Sequence, residues 1–431
     1  TTLLINQTKG RHMSITMKNF RQITTVCTFT IAFLLTISIT GKGLIAQAVR
    51  SGETHHAQNK NKADDRFHSL INIHPVISEE SFLIQSPAVK LSDDDDKKQK
   101  KKRNKKKKSI VKNPQPVPEF TIPDKIEGES YVYFIAIGDQ GTGEVGQYKV
   151  ALLMDEKARK DSLHFVLTLG DNIYSDGVKS VHDSQWQKKF IYAYDHANLD
   201  VTFYSTLGNH DHHKNRAPFQ VEFGKINKKW YMPAQYYTFA KKIDATHTIQ
   251  FFALDTTPWV SNKSARVEQM IWLENELKKS LAIWKIVFGH HPVFSYGEHG
   301  HEKNLIAELR PLLEEYDVDL YINGHDHDRQ FLKPVGGVHY ITSGTGAKSR
   351  DAAYGPLTIF AETNLGFTYY RVSASQMHVQ FINGEGEIEF AHTWEKGSVA
   401  GKPFVASEIG GKINGKKKNK KDKKRKKYKN R

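Results

Sequence analysis

The sequence predicts an α/β fold in which a mixed sheet, or a pair of sheets, is layered with helices. Three observations lead there: short apolar runs rich in β-branched and aromatic residues, helical periodicities between several of them, and a hairpin signal near the end. The runs occupy 131–137, 164–169, 201–207, 249–254, 283–288, 318–322 and 338–342, and their near-continuous apolar character suits strands buried on both faces. Val267, Met270, Leu273 and Leu277 repeat at helical spacing. So do Leu305, Leu309, Leu312 and Tyr316, where Pro311 is expected to kink the helix because it has no N–H to donate. Tyr369 to Ile382 and Glu387 to Phe390 flank Asn383-Gly384, a dipeptide suited to a tight hairpin turn.

At 431 residues and 38% hydrophobic content the chain can bury one large core or two ordinary ones, which excludes a wholly disordered protein. The formal charge of +16 suggests a nucleic-acid binder until the charge is located. Nine lysines and Arg103 give residues 97–108 a charge of +10. Eleven lysines, Arg425 and Arg431 against Asp422 give residues 412–431 a charge of +12, which leaves −6 for everything else. A basic groove through the middle of the chain is therefore not expected. Contact with polyanions or an anionic envelope surface would run through the two Lys-rich segments instead.

Cys27 is the chain's one cysteine, so no disulfide framework can form. It lies in Ile23 to Thr40, an uncharged apolar stretch preceded by Lys18 and Arg21 and followed by Ala46-Gln47-Ala48. That is the pattern of a secretory signal, with cleavage expected after Ala48 and the protein secreted or periplasmic. An uncleaved anchor is the alternative, since roughly 18 apolar residues cross a bilayer. The threonines and the Ala-x-Ala sequence favour cleavage, with no stable membrane span afterwards. Residues 1–48 are thus set apart, 49–126 read as a disordered polar and basic linker, 127–396 as one folded domain, and 397–431 as a disordered Lys-rich tail.

Five of the strands end in polar clusters: Gly138-Asp139-Gln140-Gly141, Gly170-Asp171-Asn172-Ile173-Tyr174, Gly208-Asn209-His210-Asp211, Gly289-His290-His291 and Gly324-His325-Asp326-His327. Glycine ahead of a ligand lets the backbone turn sharply, and the carboxyl edge of an α/β sheet is where ligands bind. Carboxylates, an amide, a phenol and imidazoles without a thiolate suit hard or borderline ions rather than calcium cages or cysteine-type zinc. His325 and His327, two apart at a strand end, project to one side. Two neighbouring ions are the economical reading: such pairs sit roughly 3.5–4 Å apart, activate a water and clamp the attacking and leaving oxygens of a phosphoryl group. A lone Gly-Asp or Gly-His is ordinarily a turn; five in order, each after a strand, are not. The competing signal is Gly141-Thr142-Gly143-Glu144-Val145-Gly146, a dinucleotide fingerprint ahead of a helix with Val150, Met154 and Ala158. It leaves Tyr174, Asn209, His210, His290, His325 and His327 unexplained.

In order, Gly138-Asp139-x-Gly141, Gly170-Asp171-x-x-Tyr174, Gly208-Asn209-His210-Asp211, Val287-x-x-His290 and Gly324-His325-x-His327 resemble the signature blocks of the purple acid phosphatases. These belong to the calcineurin-like metallophosphoesterases. The small mammalian-type tartrate-resistant enzymes are the nearest group, through Val181-His182-Asp183, Leu254-Asp255-Thr256, Glu298-His299-Gly300 and Leu309 to Leu313 as well. The resemblance implies a four-layer α-β-β-α sandwich of two mixed sheets flanked by helices. It implies that Asp139, Asp171, Tyr174 and His327 hold Fe(III), with phenolate-to-iron charge transfer colouring the protein. Asp171 would bridge to a divalent Fe, Zn or Mn held by Asn209, His290 and His325 as well. A metal-bound hydroxide would attack in line, His210 and His299 would neutralise or protonate the leaving oxygen, and Asp211 is expected beside them as a catalytic group. The implied protein is an acid phosphatase, expected as a monomer, acting on small phosphomonoesters and also on phosphoanhydrides. Two alternatives stay open: a phosphodiesterase or nucleotidase on the same fold, and a polyanion-binding surface protein with a vestigial site. The mammalian-type disulfide has no counterpart here, so the loop it would tie must hold by packing.

Overall fold

The computed structural model describes residues 4–7, 13–16, 34–40, 43–49, 109–398 and 404–414. They fall into two units, Thr1–Lys90 and Leu91–Arg431. In the first, Leu4–Gln7 pairs antiparallel with Met13–Thr16, and Leu34–Thr40 with Gly43–Val49. Most of the expected signal stretch, most of the linker and the greater part of the Lys-rich tail lie outside the described residues. Among the described residues no helix is long and apolar enough to cross a membrane.

The second unit is built on two seven-stranded mixed sheets. Their strands are β1 Val132–Ile137, β2 Phe165–Leu169, β3 Thr202–Thr206, β4 Trp230–Tyr231, β5 Tyr237–Lys242, β6 Thr248–Ala253 and β7 Trp284–Phe288, then β8 Leu320–Asn323, β9 Arg329–Val335 and β10 Val338–Ser343. The last four are β11 Thr358–Glu362, β12 Gly366–Val372, β13 Gln376–Asn383 and β14 Ile388–Glu395. One sheet runs β14-β13-β12-β1-β2-β3-β4, the other β5-β6-β7-β8-β10-β9-β11. In each, the strands that end in the polar clusters are parallel neighbours: β1, β2 and β3 in the first, β7 and β8 in the second. Their carboxyl ends therefore share one edge per sheet.

Side-chain alternation shows how the layers form. In β7, Ile286 and Phe288 join the core shared with the first sheet, whereas Val287 between them packs with Leu273 and Leu277 of a helix at Lys263–Lys279 and with Leu309 and Leu313. Across the sandwich, Phe134 of β1 meets Phe251 of β6 edge-on at 5.4 Å. Each sheet thus buries one face on the other and the opposite face under helices, the four-layer arrangement.

Several expectations needed correction. Tyr369 to Ile382 is two strands, β12 and β13, reversed at Ser373, whose N–H donates to Gln376 O. The next hairpin does form at Asn383-Gly384, but its positive φ falls on Gly386, because Asn383 Oδ1 accepts from the N–H groups of Glu385 and Glu387 and widens the turn. Pro311 does not break its helix: a wide π-type turn at Leu305–Leu309 precedes it, and Pro311 enters the first turn of Arg310–Glu315, where its missing N–H costs little. The dinucleotide-like segment does lead into a helix, Val145–Asp161, yet a Cβ on Gly141 would lie 1.8 Å from Asn172 O. That glycine serves loop packing, not a pyrophosphate.

Both flanks of the folded unit extend past the expected boundaries. Val111–Lys112 pairs with Ala352–Ala353, and Ile413–Asn414 with His301–Glu302. Ile409 is buried, and its carbonyl accepts from Tyr296 Oη at 2.6 Å.

His339 in β10 lies against Trp394 at 4.3 Å with both ring nitrogens buried and unpartnered. Burial, with the His392 charge behind it, pushes its imidazole down from 6.5 to about 3. The unfolded chain protonates this ring first, so the folded state loses stability as the pH falls from about 6.5 towards about 3. His339→Phe should stabilise the protein at pH 5 by about 2 kcal/mol more than it does at pH 8. Thermal melts at the two pH values check this; a gain independent of pH would assign the effect to packing alone.

Candidate metal centre

All five strand-end clusters bring donors into one site. β1 delivers Asp139, β2 delivers Asp171 and Tyr174, β7 delivers His290, and β8 delivers His325 and His327; Asn209 follows β3. Asp139, Asp171 and His290 each place a ligand atom within 4.8 Å of the other two. On one side of this trio, Tyr174 Oη lies 2.9 Å from Asp139 Oδ1 and 3.0 Å from His327 Nε2. On the other, His290 Nε2 lies 3.1 Å from Asn209 Oδ1, 3.1 Å from His325 Nδ1 and 3.5 Å from Asp171 Oδ1. All seven expected ligands are thus brought together, in two groups that meet at Asp139, Asp171 and His290.

The local chain is bent to achieve this. Asp139, Asp171 and His325 adopt left-handed backbone, with φ of 59°, 53° and 70°, a conformation that costs a non-glycine residue roughly 1 kcal/mol or more. Glycines give the room: a Cβ on Gly208 would fall 2.2 Å from Asp171 Oδ1, and one on Gly170, at φ 84°, would fall 2.7 Å from His290 Nδ1. Strain of this kind persists only where the surroundings impose it.

The donor chemistry fits cations. His290 Nδ1 is bonded to Leu169 O at 2.8 Å, which leaves Nε2 to face Asn209 and Asp171 oxygens, acceptor towards acceptor. Burial pushes the His290 imidazole down, but the Asp171 and Asp139 charges outweigh it, so in the metal-free chain a proton is drawn to this position. Burial, then the Asp139 and Asp171 carboxylates, raise the Tyr174 phenol well above its ordinary range. Such a phenol ionises only against a strong positive charge.

His210 and His299 flank the cluster. The His210 ring lies 4.7 Å from that of Tyr174, with Nδ1 on Ser175 O and Nε2 3.9 Å from Asp171 Oδ2. His299 stacks on His325 at 4.1 Å, and its backbone N–H donates to Asp326 Oδ1 at 2.8 Å. Asp211 does not join them. It is wholly buried, and its carboxylate accepts from the N–H groups of Gly208, Asn172 and Ile173 and from Gln220 Nε2, at 2.7–3.1 Å. Turned inward, it clamps the Asp171 loop to the Asn209 loop. His212 is likewise tied away, to buried Asp255 at 2.8 Å. Sequence reasoning passed over Asp326, whose place between two histidines was the available signal, and Arg350, for which the sequence carried none.

Residues 132–329 match the calcineurin-like phosphoesterase family. Purple acid phosphatase 17 of Arabidopsis thaliana is 33% identical over 317 residues, which cover 67% of this chain and 90% of that protein. The chain belongs to the purple acid phosphatase family. Human tartrate-resistant acid phosphatase type 5 is 33% identical over 290 residues, covering 60% of this chain and 89% of that one. Among solved structures, GAP50, described as the anchor in the inner membrane complex of Plasmodium, superposes with a TM-score of 0.59 at 23% identity, over 67% of this chain and 98% of that one. A purple acid phosphatase from yellow lupin seeds gives 0.50 at 17% identity, over 62% and 54%. These two likenesses concern the fold. As a purple acid phosphatase, the protein is a metal-dependent phosphoester hydrolase, and the family implies a dinuclear centre, for which the buried Asp139, Asp171 and His290 group is the natural seat.

Proposed function

We propose that this chain is an exported acid phosphatase that hydrolyses phosphomonoesters at a dinuclear centre held by Asp139, Asp171, Tyr174, Asn209, His290, His325 and His327. The observation that carries the reading is the meeting of these seven side chains around the buried Asp139, Asp171 and His290 group. The oxygen-rich group of Asp139, Tyr174 and Asp171 with His327 suits Fe(III), and the imidazole-rich group suits divalent Fe, Zn or Mn. When bound, the two ions supply the nucleophilic water and the charge that offsets the phosphoryl oxygens.

The protein's own groups do the rest. Asp171, central to both groups, keeps them in register. His210, with Nδ1 bonded to Ser175 O, presents Nε2 on the half-exposed side of the cluster, where it meets a substrate oxygen and delivers a proton to the leaving group. His299, flat against His325, walls the other side. Export rests on the Ile23 to Thr40 stretch with its Ala46-Gln47-Ala48 site, and the working form is a monomer.

Purified protein should hydrolyse p-nitrophenyl phosphate near pH 5, lose that activity to chelators and leave diesters untouched. It should also show a visible charge-transfer band that Tyr174→Phe abolishes. A colourless wild type with full activity would overturn the Tyr174–iron assignment, and absence of bound metal in active protein would overturn the reading itself.

A further inference from the structure

A cleft of about 760 Å³ opens beside His299, walled by Tyr296, Glu298, Arg350, Tyr354, Lys112 and Lys412. Arg350 is one side chain away from the candidate metal cluster. Its Nη1 donates to His299 Nε2 at 2.8 Å, and His299 in turn stacks on His325. Its backbone N–H donates to His327 O at 2.8 Å, so the loop that carries it is tied to the loop that carries two expected ligands. An arginine does not give up its proton, so in this contact Arg350 donates and the His299 nitrogen accepts. The permanent positive charge next to the cluster therefore belongs to Arg350.

That charge is only weakly committed. Its Nε lies 3.6 Å from Glu298 Oε2, a pair in which the glutamate side chain is 62% exposed and solvent screens the attraction. Two of five donors are used, and a guanidinium fork matches a phosphate better than any other side chain does. Lys112, with Nζ 3.9 Å from Asp351 Oδ2, and Lys412 stand on the same walls; among the described residues Lys412 Nζ bonds a backbone carbonyl, that of Glu298, at 3.1 Å. An aryl or alkyl alcohol leaving from the metal site makes no use of such an array.

We propose that Arg350 forms an anion subsite, backed by Lys112 and Lys412, that receives a negatively charged leaving group, so that phosphoanhydrides such as inorganic tripolyphosphate are preferred over neutral-alcohol monoesters. The inference rests on the proposed phosphatase reading of the adjoining site. In the reaction, water oxygen bonds to the terminal phosphorus and the P–O bond to the bridging oxygen breaks. The electron pair departs on pyrophosphate, and the two protons of water distribute between orthophosphate and pyrophosphate. The charge that accumulates on the departing pyrophosphate is what Arg350 offsets.

The test uses the full-length, metal-loaded protein and its Arg350→Met and Arg350→Lys variants. Arg350→Met should lower kcat/KM on tripolyphosphate about ten- to a hundred-fold more than on p-nitrophenyl phosphate, with Arg350→Lys recovering part of the difference. Calorimetric affinity for methylenediphosphonate, which is not hydrolysed, should fall by a similar factor. Equal losses on both substrates, or an unchanged ratio, would overturn the subsite. A wild type that cleaves the aryl phosphate but not tripolyphosphate overturns it too and leaves the phosphatase reading intact. A wild type inert towards both overturns the phosphatase reading, and unchanged diphosphonate affinity in Arg350→Met then removes the subsite as well.

Discussion

Asp171→Asn should reduce phosphatase activity by roughly a thousand-fold or more, equivalent to ~4 kcal/mol of transition-state stabilisation, while the protein remains folded. Asparagine has the same shape and its Oδ1 still accepts from His210 N, which Asp171 Oδ1 does at 2.9 Å. What is lost is a carboxylate charge at the place where the two groups of donors meet. Elemental analysis should show the ions depleted. The metal-free variant should melt at or above the temperature of metal-free wild type, because Asp171 crowds other carboxylates in the absence of a cation: after burial, its charge is the main influence that raises the Asp211 carboxyl to about 6. A variant that retains both ions and most of its activity would show that Asp171 does not bridge.

Asp211→Ala should act through a different route. Removing this carboxylate strands three buried backbone N–H groups, those of Gly208, Asn172 and Ile173, and the Gln220 amide. Each buried donor left unpaired costs ~1–3 kcal/mol. Discounted for the expense of burying the carboxyl itself, the loss should be about 4 kcal/mol. Denaturant melts should show it, and metal content should fall with it, since the Asp171 and Asn209 loops lose their common clamp. Asp211→Asn, which keeps an acceptor, should cost much less. Wild-type stability in Asp211→Ala together with a selective fall in kcat would restore the catalytic role that the sequence motif suggests.

The site was legible because its donors follow strands whose apolar character is continuous, so each Gly-Asp, Gly-Asn-His or Gly-His unit announced its own place on the sheet edge. The central strands could be read for the same reason. Strands at or next to the margin of the sheet could not: the edge strand Tyr237–Lys242 is half-exposed and carries Lys241 and Lys242 at its end, and Arg329–Val335, one strand in from the other edge, contains Lys333 and Pro334 at a break in its register. Nor does a motif say which way its members face. Asp211 follows His210 directly, yet the short helix at Asn209–His212 turns the two to opposite sides, one to the cluster and the other into the protein. Arg350 sits in a loop without periodicity, and its relation to His299 arises only when two distant loops are packed together.

Ser109 and Lys412, near the first and last described residues of the second unit, line the same cleft. The two positions therefore lie near one another in space although the rest of the domain separates them along the chain. A short flexible connector from Asn414 back to Ser109, with new ends cut into an exposed loop such as Asp244–Thr246, should yield a circular permutant that folds. Such a molecule would lack both lysine runs while keeping the metal-site loops covalently intact, separating their contribution from that of the fold.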